Sequence, residues 1–384
     1  MSGEALIVHS GGPTPVLNAS LAGAVSECRR HPEISRVWGA RFGALGLVQQ
    51  DFLDLGEAPA EAIARAPGSV IGCSRRKIET PEYARVIDGL RRRNVRYLFY
   101  TGGNGSMETA LALARAARSA HSELSVIGIP KTIDNDIAAT DHTPGYASCA
   151  RFFAHLARDV GEDNRALPPP VEILEVLGRT SGWVVAATAL ARHREDDPPH
   201  LVYFPEQGLG AARLCADVER VYRRLGRCMV AVCEGQRDES GGWFGTELNN
   251  LPGARGVLPA NMGQVLAKIV WDATGLRTRA EKPGLAGRSC AALVSEVDRA
   301  ESWRCGEAAV RAAVEGRSGE MVSIRRVSAS PYRSEMLTVP LEEVAGIERP
   351  FPAEWISAEG NGVRPEFIDW ARPIVGETPA HPRL

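Results

Sequence analysis

The sequence predicts an α/β protein with mainly parallel sheets, and three observations lead to this prediction. Several short apolar runs end in turn residues and continue into helix-like stretches. These runs are continuous rather than alternating, which is typical of strands that are buried on both faces of a parallel sheet. A polar, glycine-rich or acidic cluster follows each run, at the strand end where open parallel sheets bind their ligands.

The predicted strands are short and recur along the first two thirds of the chain. They cover residues 5–8, 97–100, 126–129, 171–176, 201–204 and 229–232. The clusters that follow them cover residues 10–14, 101–106, 130–132, 177–179, 205–206 and 233–235. From about residue 330 onward the sequence is irregular and rich in proline, and we expect it to wrap the surface.

Length and composition limit the kind of protein. A chain of 384 residues fits two domains, or one large α/β unit with an inserted lobe. A net charge of −2 gives no electrostatic attraction for nucleic acid or an anionic membrane. No apolar run reaches the ~18 residues of a membrane span, and no secretory signal is recognisable. The 8 cysteines form no CxxC pair, so we expect reduced thiols and a cytoplasmic protein.

Two glycine-rich turns follow separate predicted strands. Gly11 and Gly12 precede a helical stretch, so backbone amides and a helix N-terminus can meet an anion there. The second turn offers glycines, an amide and a hydroxyl that suit phosphate oxygens or a hydrated metal, from Gly103, Asn104, Gly105 and Ser106. Two such turns on one sheet suggest a polyphosphate, although unrelated tight turns remain an alternative.

The acidic cluster after the third strand is the most informative. In an extended segment Asp134 and Asp136 point to the same side, about 7 Å apart along the chain. One carboxylate can then accept a hydroxyl proton while the other holds magnesium. Lys131 adds a point charge for a phosphate, and Thr132 adds a hydroxyl. The alternative is a solvated acidic loop.

Arginine-rich loops provide candidate phosphate ligands. Arg75 lies in a loop with two further cations, and Arg277, Arg279 and Arg288 cluster later in the chain. Guanidinium groups match phosphate oxygens in bidentate fashion. Any single arginine in such a loop can equally be a solubilising surface residue.

These motifs, in this order, resemble the phosphofructokinase family, and in particular its bacterial pyrophosphate-using branch. The resemblance runs through GGPTPVLNAS, GGNGS, PKTIDND, TDHTPGYASCARF, EVLGRTSGW, VYFPE and VCEG, and ends between Trp355 and Gly376. It implies two Rossmann-like lobes with an active site in the cleft between them. We expect a larger donor-phosphate lobe at residues 1–146 plus about 288–330, a smaller sugar-phosphate lobe at 147–287, and a C-terminal wrapping segment at 331–384.

The resemblance also implies a role for each matching residue. Asp134 matches the general base that takes the proton from the sugar's 1-hydroxyl, assisted by Lys131 and Thr132. The expected donor-phosphate ligands are Gly11, Gly12, Arg75, Gly103, Asn104, Gly105 and Ser106. The expected sugar-phosphate ligands are Thr132, Asp134, Asp136, Leu177, Gly178, Arg179, Glu234, Arg279 and Arg288. Asn104 and Asp136 are the expected contacts of Mg²⁺, the cofactor that the resemblance implies.

The phosphoryl donor is predicted from a few positions. Lys131 and Thr109 stand where ATP-using members often have glycine, and both favour pyrophosphate, although some ATP-using relatives also carry the lysine. Gly105 favours ATP, because pyrophosphate users commonly place an aspartate there. Asn104 replaces an aspartate that is usual in ATP-using enzymes and also occurs in the pyrophosphate branch. We therefore expect pyrophosphate, with an ATP-dependent 6-phosphofructokinase as the alternative.

The acceptor is expected to be fructose 6-phosphate, which would yield fructose 1,6-bisphosphate in glycolysis. The family's usual Gln-Arg pair reads Gly287-Arg288 here, and Pro170 replaces an arginine of the ATP-using bacterial enzymes. A longer ketose phosphate such as sedoheptulose 7-phosphate therefore remains open, as does a non-catalytic sugar-phosphate-binding protein. The resemblance suggests a homodimer or homotetramer.

Overall fold

The computed structural model describes residues 2–167, 171–244 and 261–382, so Pro170 lies outside the described residues. The chain divides into two compact units. The first comprises Met1–Ser148 and Arg288–Arg349, and the second comprises Cys149–Gly287 and Pro350–Leu384. Within the described ranges, no helix has the length and apolar character needed to cross a lipid bilayer.

The first unit is built on a seven-stranded sheet. Its strands are β1 (Gly3–His9), β2 (Ile34–Ala40), β3 (Phe52–Asp54), β4 (Val95–Gly102), β5 (Ser125–Pro130), β10 (Glu320–Ala329) and β11 (Tyr332–Pro340). The strand order is β11-β10-β5-β4-β1-β2-β3. The five inner strands run parallel, and β3 and β11 pair antiparallel at the two edges.

Helices cover both faces of this sheet, because its central strands are apolar on both sides. The helices are α1 (Leu17–Cys28), α2 (Ala44–Gln49), α3 (Ala60–Arg65), α4 (Thr80–Arg92), α5 (Asn104–Ser119) and α10 (Glu296–Val314). Leu6 and Val8 of β1 pack in one core with α2, α4 and α5. Ala5 and Ile7 point to the opposite face and pack with α1 and α10.

Two glycines bring α1 and α10 into close contact. A Cβ atom at Gly23 would lie 2.1 Å from the carbonyl oxygen of Trp303, and one at Gly306 would lie 2.0 Å from that of Ser20. No side chain fits at either position, so the two backbones touch. This contact fixes the start of α1, which directly follows the first glycine-rich turn.

The second unit is built on a four-stranded sheet. Its strands are β6 (Val171–Val176), β7 (Leu201–Val202), β8 (Cys228–Cys233) and β9 (Thr278–Glu281), in the order β7-β8-β6-β9, and all pairs are parallel. Its helices are α7 (Trp183–Ala187), α8 (Ala211–Leu225), α9 (Met262–Thr274) and α11 (Pro365–Val375). α6 (Tyr146–Ala166) carries the chain from the first unit to the second.

Packing in the second unit again follows from the apolar strands. α8 and α9 cover one core of the sheet, where Leu214, Val218 and Leu266 are fully buried. A separate aromatic cluster joins α7 to the C-terminal residues, with ring centroids 5.0–6.1 Å apart among Trp183, Phe351, Trp355, Phe367 and Trp370.

The α/β class and the mainly parallel sheets are confirmed, and each predicted strand is present. The expectation of one irregular wrapping segment after residue 330 is wrong. β11 completes the edge of the large sheet, and residues up to Arg349 belong to the first unit. α11 belongs to the second unit, because its apolar side chains Phe367, Ala371 and Ile374 are buried there.

Candidate active site

Three loops of the first unit meet at the carboxyl edge of its sheet. β1 and β4 end in register, since His9 pairs with Thr101, and β4 and β5 end in register, since Gly102 pairs with Pro130. The amide of Lys131 donates to the carbonyl oxygen of Gly102 at 3.0 Å. The two glycine-rich turns and the acidic loop are therefore neighbours, as the sequence predicted.

Lys131 connects the acidic loop with the first glycine-rich turn. Its ammonium is buried and donates to the carbonyl oxygens of Ser10 at 2.9 Å and Gly12 at 2.7 Å. Burial lowers the pKa of Lys131 to about 8, although the nearby Cys73 thiol and the Asp134 carboxylate favour the charged form. The ammonium thus sits beneath the turn that was predicted to hold a phosphate.

The first turn is surrounded by cations. Gly11 has a φ of 80°, and a Cβ atom there would lie 3.2 Å from Nζ of Lys131. A Cβ atom at Gly12 would lie 2.5 Å from Nη1 of Arg288 and 3.6 Å from Nη2 of Arg75. The structure thus places Arg288 beside the predicted donor-phosphate residues.

The second turn opens α5. Gly103 precedes the helix, and a Cβ atom at Gly102 would lie 2.0 Å from the hydroxyl oxygen of the buried Ser106. Ser106 therefore packs against the turn, and its backbone amide is held by the carbonyl oxygen of Gly103 at 2.8 Å. Among the described residues, no atom lies within 4 Å of the Cβ position of Gly105, so this position faces open space.

The acidic loop is not the extended segment that the sequence suggested. Asn135 has a φ of 55°, so the backbone turns between Asp134 and Asp136. The side-chain oxygen of Asn135 accepts from the amide of Thr143 at 2.9 Å and so stabilises this left-handed conformation. The prediction of two parallel side chains in an extended segment is therefore wrong, but the Asp134 carboxylate is near enough to help raise the pKa of Asp136.

Thr132 and Asp134 are joined locally. The hydroxyl oxygen of Thr132 accepts from the amide of Asp134 at 3.1 Å. The carboxyl of Asp134 belongs to a half-buried residue and acts electrostatically on both Lys131 and Asp136. Its position between an ammonium and a second carboxylate suits a group that exchanges a proton with a hydroxyl.

The carboxyl of Asp136 lies in a negatively charged environment. Burial, together with the carboxylates of Asp134 and Glu348, raises the pKa of Asp136 to about 7. Asn104 donates to the backbone carbonyl oxygen of Asp136 at 3.2 Å. The side-chain oxygen of Asn104 is buried and has no hydrogen-bond partner among the described residues.

This arrangement fits a hydrated divalent cation. Two close carboxylates and an unused amide oxygen offer hard oxygen ligands at one place. No group of three His, Cys, Asp or Glu side chains that could enclose a metal is present in the described part of the chain. Mg²⁺ commonly takes only one or two protein carboxylates and completes its shell with water and substrate phosphates, so the residues present fit Mg²⁺.

Arg349, which was not predicted from the sequence, holds the acidic loop in place. Its half-buried guanidinium donates to the carbonyl oxygens of Asn135 at 2.9 Å, Thr140 at 2.6 Å and Asp141 at 2.8 Å. Its backbone amide donates to the carbonyl oxygen of Asp136 at 2.8 Å. Arg349 is more than 200 positions from the loop, so nothing in the local sequence pattern indicates this contact.

A second anchor, His142, is fully buried and was not predicted from the sequence. His142 lies between the carboxylates of Asp141, at 2.8 Å, and Glu301, at 2.6 Å. Burial opposes the charged form, but these two carboxylates outweigh it and raise the pKa of His142 to about 9. The adjacency of Asp141 and His142 was a weak signal, whereas Glu301 is contributed by α10.

In the second unit, Gly178 and Arg179 form a tight turn after β6. Their φ values are 132° and 54°, and Leu177 before them is buried. A Cβ atom at Gly235 would lie 1.6 Å from the carbonyl oxygen of Arg179, so the loop after β8 touches this turn. The predicted sugar-binding residues after β6 and β8 are thus brought together.

Glu234 lies at the same strand ends. Burial and the neighbouring Glu175 carboxylate raise the pKa of Glu234. Glu175 itself is buried, accepts from the amide of Gly263 at 2.8 Å and pairs with Nζ of Lys282 at 2.6 Å. Neither Glu175 nor Lys282 was predicted from the sequence to be part of the site.

Arg279 is not brought to this end of the sheet. It pairs with Glu172 of β6, whereas Glu234 follows the pair formed by Cys233 and Val176. Glu234 therefore lies five strand positions beyond the level of Arg279, which corresponds to about 16 Å. Arg279 therefore does not join Glu234 within this unit.

Gly287 occupies the position of the family's usual glutamine for a steric reason. A Cβ atom at Gly287 would lie 2.4 Å from the ring of Phe153, which is fully buried. The ring of Phe153 fills the space that a longer side chain at position 287 would need, so only glycine fits beside it.

Comparisons with known proteins agree with this picture. The model of the Phosphofructokinase family matches residues 4–313. A Pyrophosphate–fructose 6-phosphate 1-phosphotransferase of Rhodospirillum rubrum is 37% identical over 97% of this chain and 94% of its own. A Sulfofructose kinase of Alkalicoccus urumqiensis is 32% identical over 97% of this chain and 96% of its own.

The fold is also similar to that of solved structures. The crystal structure of a pyrophosphate-dependent phosphofructokinase from Nitrosospira multiformis covers all of this chain, with a TM-score of 0.90 and 29% identity over 94% of its own length. The family model spans most of the chain, and the relatives extend over nearly its whole length. The chain belongs to the phosphofructokinase family.

Proposed function

We propose that this chain transfers a phosphoryl group from pyrophosphate to the 1-hydroxyl of fructose 6-phosphate, giving fructose 1,6-bisphosphate and orthophosphate. The observation that carries the proposal is the buried ammonium of Lys131, which lies directly under Gly11 and Gly12 in the predicted donor site. A fixed positive charge at that point suits a small polyanion and occupies space next to the turn. Relatives named for this activity support the proposal.

In this mechanism Asp134 is the general base. It accepts the proton of the sugar's 1-hydroxyl as that oxygen bonds to the terminal phosphorus of pyrophosphate, and the bond to the leaving orthophosphate breaks. Lys131 and Arg75 offset the negative charge on the phosphates while they are held in line. The turn at Gly103 and Gly105 supplies backbone amides at the start of α5 for the phosphate oxygens, and Ser106 packs against this turn.

The proposal includes Mg²⁺, which when bound would neutralise phosphate charge. Asn104 and Asp136 would hold it, because the buried amide oxygen of Asn104 has no partner among the described residues and the carboxyl of Asp136 is in a negative environment. Removal of the metal by a chelator should therefore abolish turnover, and added Mg²⁺ should restore it.

The second unit is proposed to bind the sugar. Leu177, Gly178 and Arg179 form the turn after β6, and Glu234 lies beside them with a raised pKa that suits hydrogen bonding to a hydroxyl. Arg279 remains a proposed ligand of the sugar's phosphate. The proposal further includes a cytoplasmic homodimer or homotetramer, for which light scattering of the purified protein is the test.

One observation favours a second candidate, an ATP-dependent 6-phosphofructokinase. The open space at Gly105 leaves room beside the donor site where a larger donor could extend. Acceptor specificity also needs a test, because one relative of similar length is named a sulfofructose kinase.

The test is a matrix of initial rates. Pyrophosphate and ATP are each combined with fructose 6-phosphate, sedoheptulose 7-phosphate and sulfofructose, with saturating Mg²⁺. We expect the highest kcat/KM for pyrophosphate with fructose 6-phosphate. Activity with ATP but not with pyrophosphate would favour the ATP-dependent 6-phosphofructokinase. Sugar binding without turnover with either donor would contradict both candidate functions.

A further inference from the structure

We propose that Asn18 is a positioning residue of the donor site. Together with His9, it holds residues 66–75 (the Arg75 segment) against the first glycine-rich turn, and so fixes the guanidinium of Arg75 beside Gly12. This inference rests on the proposed function, in which Arg75 binds pyrophosphate. Neither Asn18 nor His9 was predicted from the sequence to be part of the site.

The Arg75 segment has no regular structure of its own. It lies between α3 and α4 and contains neither helix nor strand. At its end, Nη2 of Arg75 is 3.6 Å from the position that a Cβ atom of Gly12 would occupy. A segment without a hydrogen-bond ladder keeps its place through tertiary contacts, so these contacts decide where Arg75 lies.

Asn18 supplies two of these contacts from the start of α1, just after the first glycine-rich turn. Its side chain is fully buried. Nδ2 donates to the carbonyl oxygen of Ala66 at 2.8 Å, and Oδ1 accepts from the amide of Val70 at 3.0 Å. A primary amide carries a donor and an acceptor on one planar group, so it can bind both ends of this short stretch at once.

His9 supplies a third contact from the end of β1. Its ring is fully buried, and Nδ1 lies 2.8 Å from the hydroxyl oxygen of Ser69. Burial and the charge of Lys131 lower the pKa of His9 to about 3, so the ring is neutral at physiological pH. His9 therefore holds the segment without adding a further positive charge next to the ammonium of Lys131.

The other end of the segment is bonded to the turn itself. The amide of Gly11 donates to the carbonyl oxygen of Ser74 at 3.0 Å, and Ser10 and Ser74 form an isolated parallel bridge. Ile71, in the middle of the segment, is buried in the core. Ser74 directly precedes Arg75, so a shift of the segment would displace the guanidinium relative to the turn.

These contacts bear on how tightly the donor is bound. A guanidinium that is already in position loses less conformational entropy when it binds a phosphate than a mobile one. Without the Asn18 amide, the carbonyl of Ala66 and the amide of Val70 would lose their partner, and the segment would relax. The inference therefore requires that Asn18 affects donor binding and that it does so through Arg75.

The experiment measures donor binding in the full-length protein with Mg²⁺. Isothermal titration calorimetry uses imidodiphosphate, a pyrophosphate analogue that is not transferred. The variants are Asn18→Ala, Arg75→Gln and the double variant that combines them. Calorimetry gives the number of sites as well as the affinity. A partly unfolded protein would show fewer sites, whereas a displaced Arg75 would show a weaker affinity.

Asn18→Ala should weaken imidodiphosphate binding about tenfold, with the number of sites unchanged. Arg75→Gln should weaken it about tenfold or more. In the double variant, the added Asn18→Ala change should cost less than about twofold, because the side chain through which it acts is gone. A general loss of stability would not produce this dependence on Arg75.

Three results would overturn the inference. The first is unchanged binding in a folded Asn18→Ala protein, and the second is unchanged binding in the Arg75→Gln protein. The third is an equal loss of affinity when Asn18→Ala is added to the wild type and to Arg75→Gln, since the two residues would then act independently.

Ser69→Ala provides a second test if Asn18→Ala does not fold. It removes the hydroxyl that meets His9 and changes little else in this half-buried position. It should weaken imidodiphosphate binding about threefold, and only where Arg75 is present. Unchanged binding by Ser69→Ala in that case would overturn the inference.

Asn94→Ala is the matched control. Asn94 is exposed, has a φ of 56° and precedes β4, at the end of the strand away from the donor site. Alanine tolerates this left-handed conformation poorly, so the thermal midpoint should fall while the affinity stays within about twofold of the wild type. A loss of affinity equal to that of Asn18→Ala would show that lowered stability explains both, and would overturn the inference.

The inference and the proposed function can fail separately. A wild-type protein that turns over pyrophosphate, with normal analogue binding by Asn18→Ala, would refute only the role of Asn18. Analogue binding that Asn18→Ala weakens through Arg75, with no turnover of pyrophosphate by the wild type, would refute only the proposed function. A wild-type protein that binds no imidodiphosphate would overturn both.

Discussion

At the scale of a single residue, Lys131 is the main support for pyrophosphate as the phosphoryl donor. Its ammonium is buried, and two backbone carbonyl oxygens hold it at 2.7–2.9 Å. Burial lowers its pKa to about 8, so in the ligand-free protein the charged form predominates below pH 8 and is lost above it. Any step that needs this charge therefore depends on pH near 8.

The affinity for imidodiphosphate should fall as the pH rises through about 8. Lys131→Met removes the charge, so it should lower kcat/KM for pyrophosphate about 10²-fold and eliminate the extra loss of affinity above pH 8. Calorimetry at several pH values between 6.5 and 9, on both proteins, measures this. Identical pH profiles for the two proteins would show that Lys131 does not contribute.

The chemistry of the site could be predicted residue by residue, but its geometry could not. The residue types of the acidic loop indicated a base, a metal ligand and a phosphate-binding cation. The backbone turn at Asn135 was not predicted, because a φ of 55° depends on a hydrogen bond to Thr143. The approach of the Arg288 side chain to Gly12 was not predicted either, because local sequence does not reveal it.

At the scale of elements, the acidic loop depends on two anchors, of which His142 is buried and Arg349 is half-buried. Arg349 binds its carbonyl oxygens from one side. His142, which lies in the continuation of the loop, connects it to Glu301 of α10. Both anchors are remote in sequence, and each satisfies polar groups that would otherwise be buried without partners.

Arg349→Gln should lower kcat at least about tenfold, because it removes the donors that hold the carbonyl oxygens of Asn135, Thr140 and Asp141. KM for both substrates should change less than kcat, since Arg349 acts through the loop position. Steady-state kinetics well below the thermal midpoint measure this. The exposed Arg333 on β11 provides the control Arg333→Gln, and equal kcat values for the two variants would contradict the positioning role.

His142 predicts how stability depends on pH. Its pKa is raised to about 9 from an ordinary value of 6.5, so its ion pairs stabilise the fold fully below about pH 6.5. This contribution, of the order of 3 kcal/mol at most, is lost as the pH rises through 9. Denaturant titrations should show the free energy of unfolding falling from pH 6.5 to 9.5 in the wild type.

The same titrations on His142→Gln should show a flatter pH dependence and a lower stability at pH 6.5. The exposed His121 offers the control His121→Asn, which should keep the wild-type slope. If the free energy of unfolding of the His142→Gln protein kept the wild-type pH dependence, His142 would not carry the positive charge that is inferred for it.

At the scale of the whole molecule, the buried strands were predictable and the peripheral elements were not. β1, β4, β5 and β8 each contain a continuous apolar run, and β6 is apolar apart from Glu172 and Glu175; this pattern identifies them. β3 and β9 have only 3 and 4 residues, which is too short for periodicity to show. β10 and β11 are half exposed and polar in their outer parts, so the sequence resembles an irregular segment.

Each of the two compact units carries one part of the proposed chemistry. The first holds the phosphate-binding turns, Lys131 and Asp134, and the second holds the turn after β6 together with Glu234. The account therefore requires that both substrates be used in one reaction, with Asp134 as the base.

The most direct test is phosphorus NMR of the reaction of pyrophosphate with fructose 6-phosphate and Mg²⁺, comparing the wild type with Asp134→Asn. The account predicts that the wild type forms fructose 1,6-bisphosphate and orthophosphate in equal amounts, and that Asp134→Asn reacts at least about 10²-fold more slowly while it still binds both substrates. Equal rates for the two proteins, or wild-type hydrolysis of pyrophosphate without formation of the bisphosphate, would contradict it.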